Sequence, residues 1–280
     1  MKKYELTTDT KVIFGKKCFR IRALVDFGTV LKGDLGGYIE SEDNLPNDTK
    51  YGNAWVDGNA CVEGGAWVDG NAYVGSEAHI DGEAHINGEA HISGRAHIDG
   101  EAHINGEAHI SGRAHIDGKA HINGEAHIDD EAYVGGRAYV GGRAYVDDKV
   151  HISGEAYIDG RARVGDEACI GGRARVGGNT WVGGNAHIGG NVRVDGNAWV
   201  EGEAWVEDES CYTTIKGFGT EFRNTTFFRC KDNKTRVRCG CFYGDIGEFR
   251  EQVKRTRNGK IAKEYLMIAD LMEYHFSKEK

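Results

Sequence analysis

The sequence has little proline, no paired cysteines and no long apolar run. One proline occurs in 280 residues, and no stretch approaches the ~18 apolar residues that a membrane-spanning helix needs. We find no signal peptide either, which argues against a membrane span. The seven cysteines include no CxxC pair, and an odd, scattered set is typical of reduced thiols. We therefore expect a cytoplasmic protein.

Glycine, by contrast, is abundant (42 residues), and it belongs to an internal repeat. Residues 82–99 read GEAHINGEAHISGRAHID, and residues 100–117 repeat these letters without a change. A period of six is nested in this period of eighteen. A short fixed period is typical of a solenoid, in which each coil contacts its neighbours. The ratio of the two periods predicts three faces in each turn.

The chemistry of one hexad agrees with this interpretation. In Ala84-His85-Ile86 the alternation of strand side chains places Ala and Ile on one side and His on the other. The following Asn87-Gly88 suits a corner, because glycine adopts a positive φ without steric cost. Each hexad is therefore a short strand that ends in a bend, and three bends close a triangle with Ala and Ile inside.

The register of the hexads is strict. From Val56 to Val206 every sixth residue is Ile or Val, at 26 positions without an insertion. Ala stands two residues before each, except at Val150, Thr180 and Val192. We predict an all-β solenoid of about 8–9 triangular coils. Each buried Ile or Val contributes on the order of 1.5–3 kcal/mol, so the fold needs neither a disulfide nor a metal.

These hexads resemble the left-handed parallel β-helix of the hexapeptide-repeat family. The resemblance implies the left-handed sense, and it implies a homotrimer, since such prisms commonly trimerise. Residues 25–39 resemble the segment before the first coil in uncharacterised bacterial and phage-encoded hexapeptide proteins. That resemblance implies a phage or prophage origin, with a host-cell protein as partner.

The charge divides the chain into three parts. The net charge is +1 over residues 1–50, −16 over 51–211 and +6 over 212–280. We expect a capping segment, a solenoid and a small C-terminal module with these boundaries. The acidic solenoid surface is a poor partner for nucleic acid.

The two flanking parts lack the hexad period. We predict strands over 11–14 and 19–24, followed by a segment that caps the open strand edge of the solenoid. A ligand site in the turn 33–37 is the alternative, although a glycine-rich turn outside a strand–helix context is a weak signal.

For residues 212–280 we predict a ββαα module. Residues 225–230 and 235–239 read as a hairpin. Asp245 with Glu248 forms a capping box for a helix to about Arg255. A second helix spans about 260–276, and its stripe consists of Ile261, Tyr265, Ile268, Met272 and His275. This module caps the far end, docks a partner, or does both.

Between Ala and Ile or Val, the outward residues form three columns with a period of eighteen. Each column contains three successive histidines. They are His91, His109 and His127 on face 1; His79, His97 and His115 on face 2; and His85, His103 and His121 on face 3. We take these ladders as candidate binding surfaces. Repulsion between stacked imidazolium groups predicts pKa values below ~6.5, although neighbouring Glu columns oppose this shift.

Histidine also suggests an enzyme. Hexapeptide acyltransferases use a histidine base, and the related γ-type carbonic anhydrases bind zinc through three histidines. Active sites in that family draw on loops that interrupt the hexads, and this array has none. We therefore assign no catalytic residue, no metal ligand and no cofactor. Adventitious binding of a divalent metal to the ladders, assisted by a neighbouring Glu, is the alternative.

The predicted hairpin is basic. Its candidate binding residues are Arg229, Arg236 and Arg238, with Arg223, Lys231 and Lys234 nearby, and Phe222, Phe227 and Phe228 alternate with them. Interleaved aromatic and basic residues suit single-stranded nucleic acid. A solvated strand face above a phenylalanine core explains the same letters, and we favour it.

The sequence as a whole favours a non-enzymatic, rigid scaffold that makes protein–protein contacts through its ladders and end modules. An acyltransferase-like enzyme and a nucleic-acid-binding adaptor are the alternatives.

Overall fold

A computed structural model describes residues 1–13, 15–219 and 222–277, without the side chain of Arg223. The chain divides into two units, Met1–Glu155 and Ala156–Lys280. Within the described residues, no helix has the length and apolar character needed to span a membrane.

The first unit begins with three strands, β1 (Tyr4–Ile13), β2 (Lys16–Ala23) and β3 (Leu35–Ile39). β1 and β2 pair antiparallel, and β2 pairs antiparallel with β3. The two predicted strands are thus longer than expected at their N-terminal ends, β3 is additional, and Phe14 lies outside the described residues. Two 3₁₀ helices follow, Glu42–Asn44 and Thr49–Tyr51.

One two-residue strand follows in every hexad. Residues 54–206 are all described, and they contain 26 such strands, which at three per turn make a β-solenoid of about eight turns. The strands of the first unit are Trp55–Val56, Cys61–Val62, Trp67–Val68, Tyr73–Val74, His79–Ile80, His85–Ile86, His91–Ile92, His97–Ile98, His103–Ile104, His109–Ile110, His115–Ile116, His121–Ile122, His127–Ile128, Tyr133–Val134, Tyr139–Val140, Tyr145–Val146 and His151–Ile152 (β4–β20). The predicted solenoid is confirmed.

Successive coils pair in parallel with an offset of eighteen residues, as in His91 with His109. The backbone hydrogen bonds between successive coils run in one direction. His91 N donates to Ala108 O (2.8 Å) and Ser93 N donates to Ile110 O (2.9 Å). Amide groups of each coil therefore point to the next coil, and carbonyl groups point to the previous one.

The interior holds the predicted residues. Ala102 and Ile104 are fully buried while His103 between them is exposed. The corner after each hexad strand except the last has a positive φ, for example +72° at Gly106, where a Cβ atom would lie 2.7 Å from Gly124 O. Four corners have this conformation without glycine; they are Ser76, Asp130, Asp148 and Asp166.

The N-terminal segment covers the first coil, whose carbonyl groups face it. Tyr38 N of β3 donates to Ala60 O (2.8 Å) and Glu40 N donates to Val62 O (3.0 Å). The buried Asn44 amide donates to Gly64 O (3.1 Å) and Ala66 O (2.8 Å). The buried Lys3 ammonium donates to Gly52 O and Ala54 O, both at 3.3 Å. All three faces of the first coil thus receive donors.

Two outward residues of the first coil are buried by this cover. Trp55 is 4% exposed because it packs edge-on against Tyr4 and Phe27. Cys61 is 2% exposed because Cys18 of β2 lies on it. Two of the three predicted outward columns therefore begin as buried contacts, whereas the third begins with Trp67, which is 39% exposed.

The second unit continues the hexads and ends in a different module. Its hexad strands are Tyr157–Ile158, Arg163–Val164, Cys169–Ile170, Arg175–Val176, Trp181–Val182, His187–Ile188, Arg193–Val194, Trp199–Val200 and Trp205–Val206 (β21–β29). A 3₁₀ helix (Glu209–Cys211) follows them. The strands of the module are Tyr212–Phe218 (β30), Arg223–Arg229 (β31), Thr235–Cys239 (β32) and Phe242–Asp245 (β33), and its helices are Ile246–Thr256 (α1) and Gly259–His275 (α2).

The ββαα prediction for this module was wrong in its strand count. The four strands form one antiparallel sheet in chain order, so β30 and β33 flank the predicted hairpin β31–β32. The Asp245–Glu248 capping box is confirmed at the start of α1. The expected stripe of α2 is correct for Tyr265, Ile268 and Met272, but His275 is exposed and Phe276 is buried in its place.

Side chains after the solenoid accept hydrogen bonds from backbone amides of the last hexads, and Lys231 N of the module donates to Glu203 O (3.0 Å). Trp199 N donates to the Thr226 hydroxyl (3.1 Å), and Arg193 N donates to a Glu209 carboxylate oxygen (2.9 Å). A bridge joins Ala204 to Cys230. The amide groups of the last coil therefore find partners on side chains just beyond the solenoid.

Candidate functional site

The histidine ladders lie on the outside of the first unit as stacks of rings. Ring centroids of His109 and His127 on face 1 are 4.9 Å apart with an interplanar angle of 4°. His97 and His115 on face 2 (5.0 Å, 14°) and His103 and His121 on face 3 (5.0 Å, 11°) stack in the same way. Strand spacing sets the separation of these rings. The first pair on face 2, His79 and His97, is also stacked (12°), whereas the first pairs on faces 1 and 3 are tilted by 57° and 59°.

The three ladders differ in the residue beside each ring. Next to each ring lies the residue sixteen positions earlier in the sequence. This residue directly follows the strand of the preceding coil. On face 2 this residue is acidic, with Nε2–carboxylate distances of 3.4 Å for His79–Glu63, 3.8 Å for His97–Asp81 and 3.6 Å for His115–Asp99.

The other two faces are less acidic. On face 3, His85 is the one ladder histidine with an acidic residue at this position, and it lies 3.8 Å from Asp69. On face 1 the equivalent positions are Gly75, Ser93 and Ser111. His91, His109 and His127 are exposed and have no carboxylate at that position. Face 1 therefore lacks the acidic partner that face 2 has at this position.

The exposed Glu columns form ion pairs elsewhere. Glu125 pairs with Arg143 (2.9 Å), Glu101 with Lys119 (2.6 Å) and Glu77 with Arg95 (2.7 Å), each one coil away. The carboxylates that lie 3.4–3.8 Å from ladder imidazoles are at strand ends. Tyrosines follow the same rule, because the Tyr133 hydroxyl lies 2.8 Å from Asp117. Glu101 and Glu125 of the Glu columns also oppose the lowering of the pKa values of His103 and His127.

The predicted lowering of histidine pKa values is confirmed for His91, His97, His103 and His127. Burial is the largest cause at all four, and the neighbouring imidazoles of the ladder add to it. Repulsion within the ladder, the cause expected from the sequence, is therefore the smaller of the two. Asp81 and Asp99 oppose the shift at His97 without reversing it.

Face 2 contains two groups with the ligand types of a metal site. His79, Asp81 and His97 form one and His97, Asp99 and His115 the other, and the ligand atoms of each group lie within 4.8 Å of one another. Both groups are half-buried and share His97. They are the structural counterpart of the adventitious metal binding considered above.

A third group was missed by the sequence analysis. Cys18 of β2, Cys61 of β5 and Glu63 are all buried, and their ligand atoms also lie within 4.8 Å of one another. Burial raises the pKa of both thiols. Cys61 and Glu63 differ from the residues usual at their hexad positions. Cys18 could not be added to them without knowing that β2 lies over the first coil.

The arginines of the basic hairpin have partners within the chain. Arg238 lies 4.0 Å above the Trp199 ring and pairs with Glu201 (3.1 Å). Arg236 pairs with Asp232 (2.9 Å), and Arg229 donates to Phe276 O (2.8 Å).

The phenylalanines beside them are placed unequally. Phe227 and Phe228 are fully buried, whereas Phe222 is 66% exposed. Two of the three rings proposed to stack on bases thus lie in the core of the module.

With this geometry in view, the comparison with known families adds one finding. Residues 73–180 match the family model described as "Bactofilin: Polymer-forming cytoskeletal". This segment resembles the bactofilins. The match covers less than half of the chain and lies within the hexads. A search of curated proteins found no match.

The bactofilin match bears on the expected resemblance in two ways. It supports a solenoid-forming relative, and it does not show a hexapeptide transferase. The bactofilin-like segment contains all nine histidines of the three ladders, whereas the Cys18 group and the C-terminal module lie outside it.

Proposed function

We propose that this protein is a non-enzymatic structural scaffold that self-associates through the outside of its solenoid. The observation that carries the proposal is the match of residues 73–180 to a polymer-forming family, over hexads that no loop interrupts. An enzyme of hexapeptide type would need such a loop to gather its substrate.

Face 1 is the surface proposed to make the contact. Its three imidazoles are exposed, and none of them has an acidic residue at the strand end of the preceding coil. Because the pKa values of His91 and His127 are lowered, these rings are mainly neutral at neutral pH. Two copies of the same ladder can then approach each other without charge repulsion.

The arrangement at the solenoid ends favours contact through the sides. The carbonyl groups of the first coil accept hydrogen bonds from Tyr38, Asn44 and Lys3, and Thr226 and Glu209 accept from the last hexads. Paired edges recruit fewer strands from other chains than open ones do. The free cysteines, seven in all, agree with a cytoplasmic location.

Sedimentation velocity and negative-stain microscopy of the full chain over a range of concentrations test this proposal. We expect open assemblies that grow with concentration. A variant with His91, His109 and His127 replaced by Glu should lose them, since a row of carboxylates one strand spacing apart repels its copy. The matched control replaces His85, His103 and His121 of face 3 by Glu and should assemble normally.

A wild-type chain that stays monomeric contradicts the proposal. A closed trimer, the assembly implied by the hexapeptide resemblance, contradicts open polymer formation. Equal loss of assembly in both triple variants would show that face 1 is not the specific contact.

A further inference from the structure

The cluster of Cys18, Cys61 and Glu63 has no role in the proposed scaffold. The sulfur atoms of Cys18 and Cys61 are 3.2 Å apart, and Cys18 Sγ lies 3.7 Å from Glu63 Oε2. The other carboxylate oxygen, Oε1, is 3.4 Å from His79 Nε2. At most 2% of each of the three residues is exposed.

A buried glutamate next to two thiols is an unusual combination for a core. A carboxylate is seldom fully buried unless a cation or several donors compensate its charge. Lys16 of β2 pairs with Glu40 (3.7 Å). Two cysteine sulfurs with a carboxylate oxygen are, however, a donor set that Zn²⁺ accepts readily.

We propose that Cys18, Cys61 and Glu63 bind a divalent ion of the zinc class, with His79 as a positioning residue for the Glu63 carboxylate. Two thiolates on one tetrahedral zinc lie about 3.8 Å apart, given Zn–S bonds of about 2.3 Å. The sulfur atoms therefore separate slightly when the ion enters. Binding replaces the thiol protons, so two protons are released to solvent.

The consequence for the fold is a cross-link between the N-terminal segment and the solenoid. Cys18 belongs to β2, while Cys61 and Glu63 belong to the first coil, so the ion ties the cover to the coil beneath it. The inference is independent of the proposed self-association, because neither the cysteines nor Glu63 lies on face 1 or in residues 73–180.

Cobalt and zinc titrations of the reduced, metal-free full chain test the site. We expect Co²⁺ to give a thiolate-to-metal charge-transfer band in the near ultraviolet, lost in Cys18→Ser and in Cys61→Ser. Cys169→Ser, at an exposed cysteine of the hexads, is the matched control. His97→Gln removes the residue shared by both ladder groups and should retain the band. His79→Gln should weaken binding by about 10- to 100-fold, as loss of an outer-shell partner does.

Proton release from the wild-type chain gives a readout that does not depend on variant folding. Each zinc ion bound should release two protons, measured with a pH indicator in weak buffer, and should raise the unfolding temperature. A cobalt complex without the charge-transfer band would overturn the proposal, as would retention of the band in the Cys18→Ser/Cys61→Ser double variant. Rapid oxidation of Cys18 and Cys61 to a disulfide in the presence of zinc would overturn it in favour of a redox pair.

Discussion

The two ends of the solenoid are covered by opposite hydrogen-bonding groups. At the first coil the cover supplies donors, namely the Lys3 ammonium, the Asn44 amide and the backbone amides of Tyr38 and Glu40. At the last hexads the following residues supply acceptors, the Thr226 hydroxyl and the Glu209 carboxylate. The difference follows from the one-directional bonds between coils, which leave carbonyls at the beginning and amides at the end.

The comparison shows that the polar groups covering an end must complement the backbone groups left unpaired there, and the chain direction determines which groups these are. Net charge does not describe this match, because the C-terminal module is basic and yet supplies a hydroxyl acceptor to the backbone amide of Trp199. The match depends on whether the atom next to each unpaired backbone group is a hydrogen-bond donor or acceptor. The five predictions below test this from the largest expected effect to the smallest.

Reversing the polarity at one end should have the largest effect. In Asn44→Asp the buried side chain would present carboxylate oxygens to Gly64 O and Ala66 O. We expect a loss of about 3–5 kcal/mol in the free energy of unfolding, as for other unpaired buried charges. Chemical denaturation measures it, with Asn179→Asp on the exposed surface as control. Equal midpoints for the two variants would refute the donor requirement.

A substitution in the middle of the solenoid tests side-chain packing separately from the hydrogen bonding at the two ends. Ala102 is fully buried between Ala84 and Ala120 of the adjoining coils. Ala102→Leu should overfill the narrow interior and cost about 1–3 kcal/mol. His103→Leu, with its side chain outside, should stay within about 0.5 kcal/mol of wild type. Similar denaturation midpoints for both would mean that inside and outside are wrongly assigned.

Steric fit at the first coil is the next test. A Cβ atom on Gly36 would lie 2.5 Å from Val56 O and 2.6 Å from the Trp55 ring. Gly36→Ala should therefore lift β3 from the coil at a cost of about 1–3 kcal/mol. Gly177 has no atom within 4 Å of such a Cβ, so Gly177→Ala is the matched control. If thermal unfolding of the two variants is the same, the glycine pair of β3 has another purpose.

At the other end, Thr226→Val keeps the shape of the side chain and removes its acceptor. The amide of Trp199 would then be buried without its partner, which costs about 1–3 kcal/mol. Thr226→Ser retains the hydroxyl and should recover most of the stability. A valine variant as stable as the serine variant would contradict the acceptor role.

The pH dependence should be the smallest effect and should come from the ladders and not the ends. Lowered folded-state pKa values mean that the unfolded chain binds more protons below about pH 6.5. Stability is then full above that pH and is lost as the pH falls through the folded pKa values. Urea denaturation at stepwise lower pH measures this. His97→Gln should reduce the dependence, and a dependence of opposite sign would show that the acidic neighbours dominate.

The solenoid could be predicted from the sequence because every hexad repeats the same local pattern. The Ala–His–Ile alternation and the following glycine determine strand, face and corner within six residues. Sequence reasoning missed β30 and β33, because neither has an alternating pattern strong enough to stand apart from the hairpin they flank. It also missed the Cys18 group, since the contact joins residues more than forty positions apart through a non-repeating segment.

The duplicated eighteen residues also determine how the protein's length can change. Adding or removing eighteen residues inserts or deletes one whole turn, and every later side chain keeps its face. Adding six residues preserves each strand and corner but shifts every later ladder to the next face. The acidic column of face 2 would then be followed by residues from face 1 or face 3. We expect natural length variants of this solenoid to differ by multiples of eighteen residues, because only those preserve continuous surface chemistry.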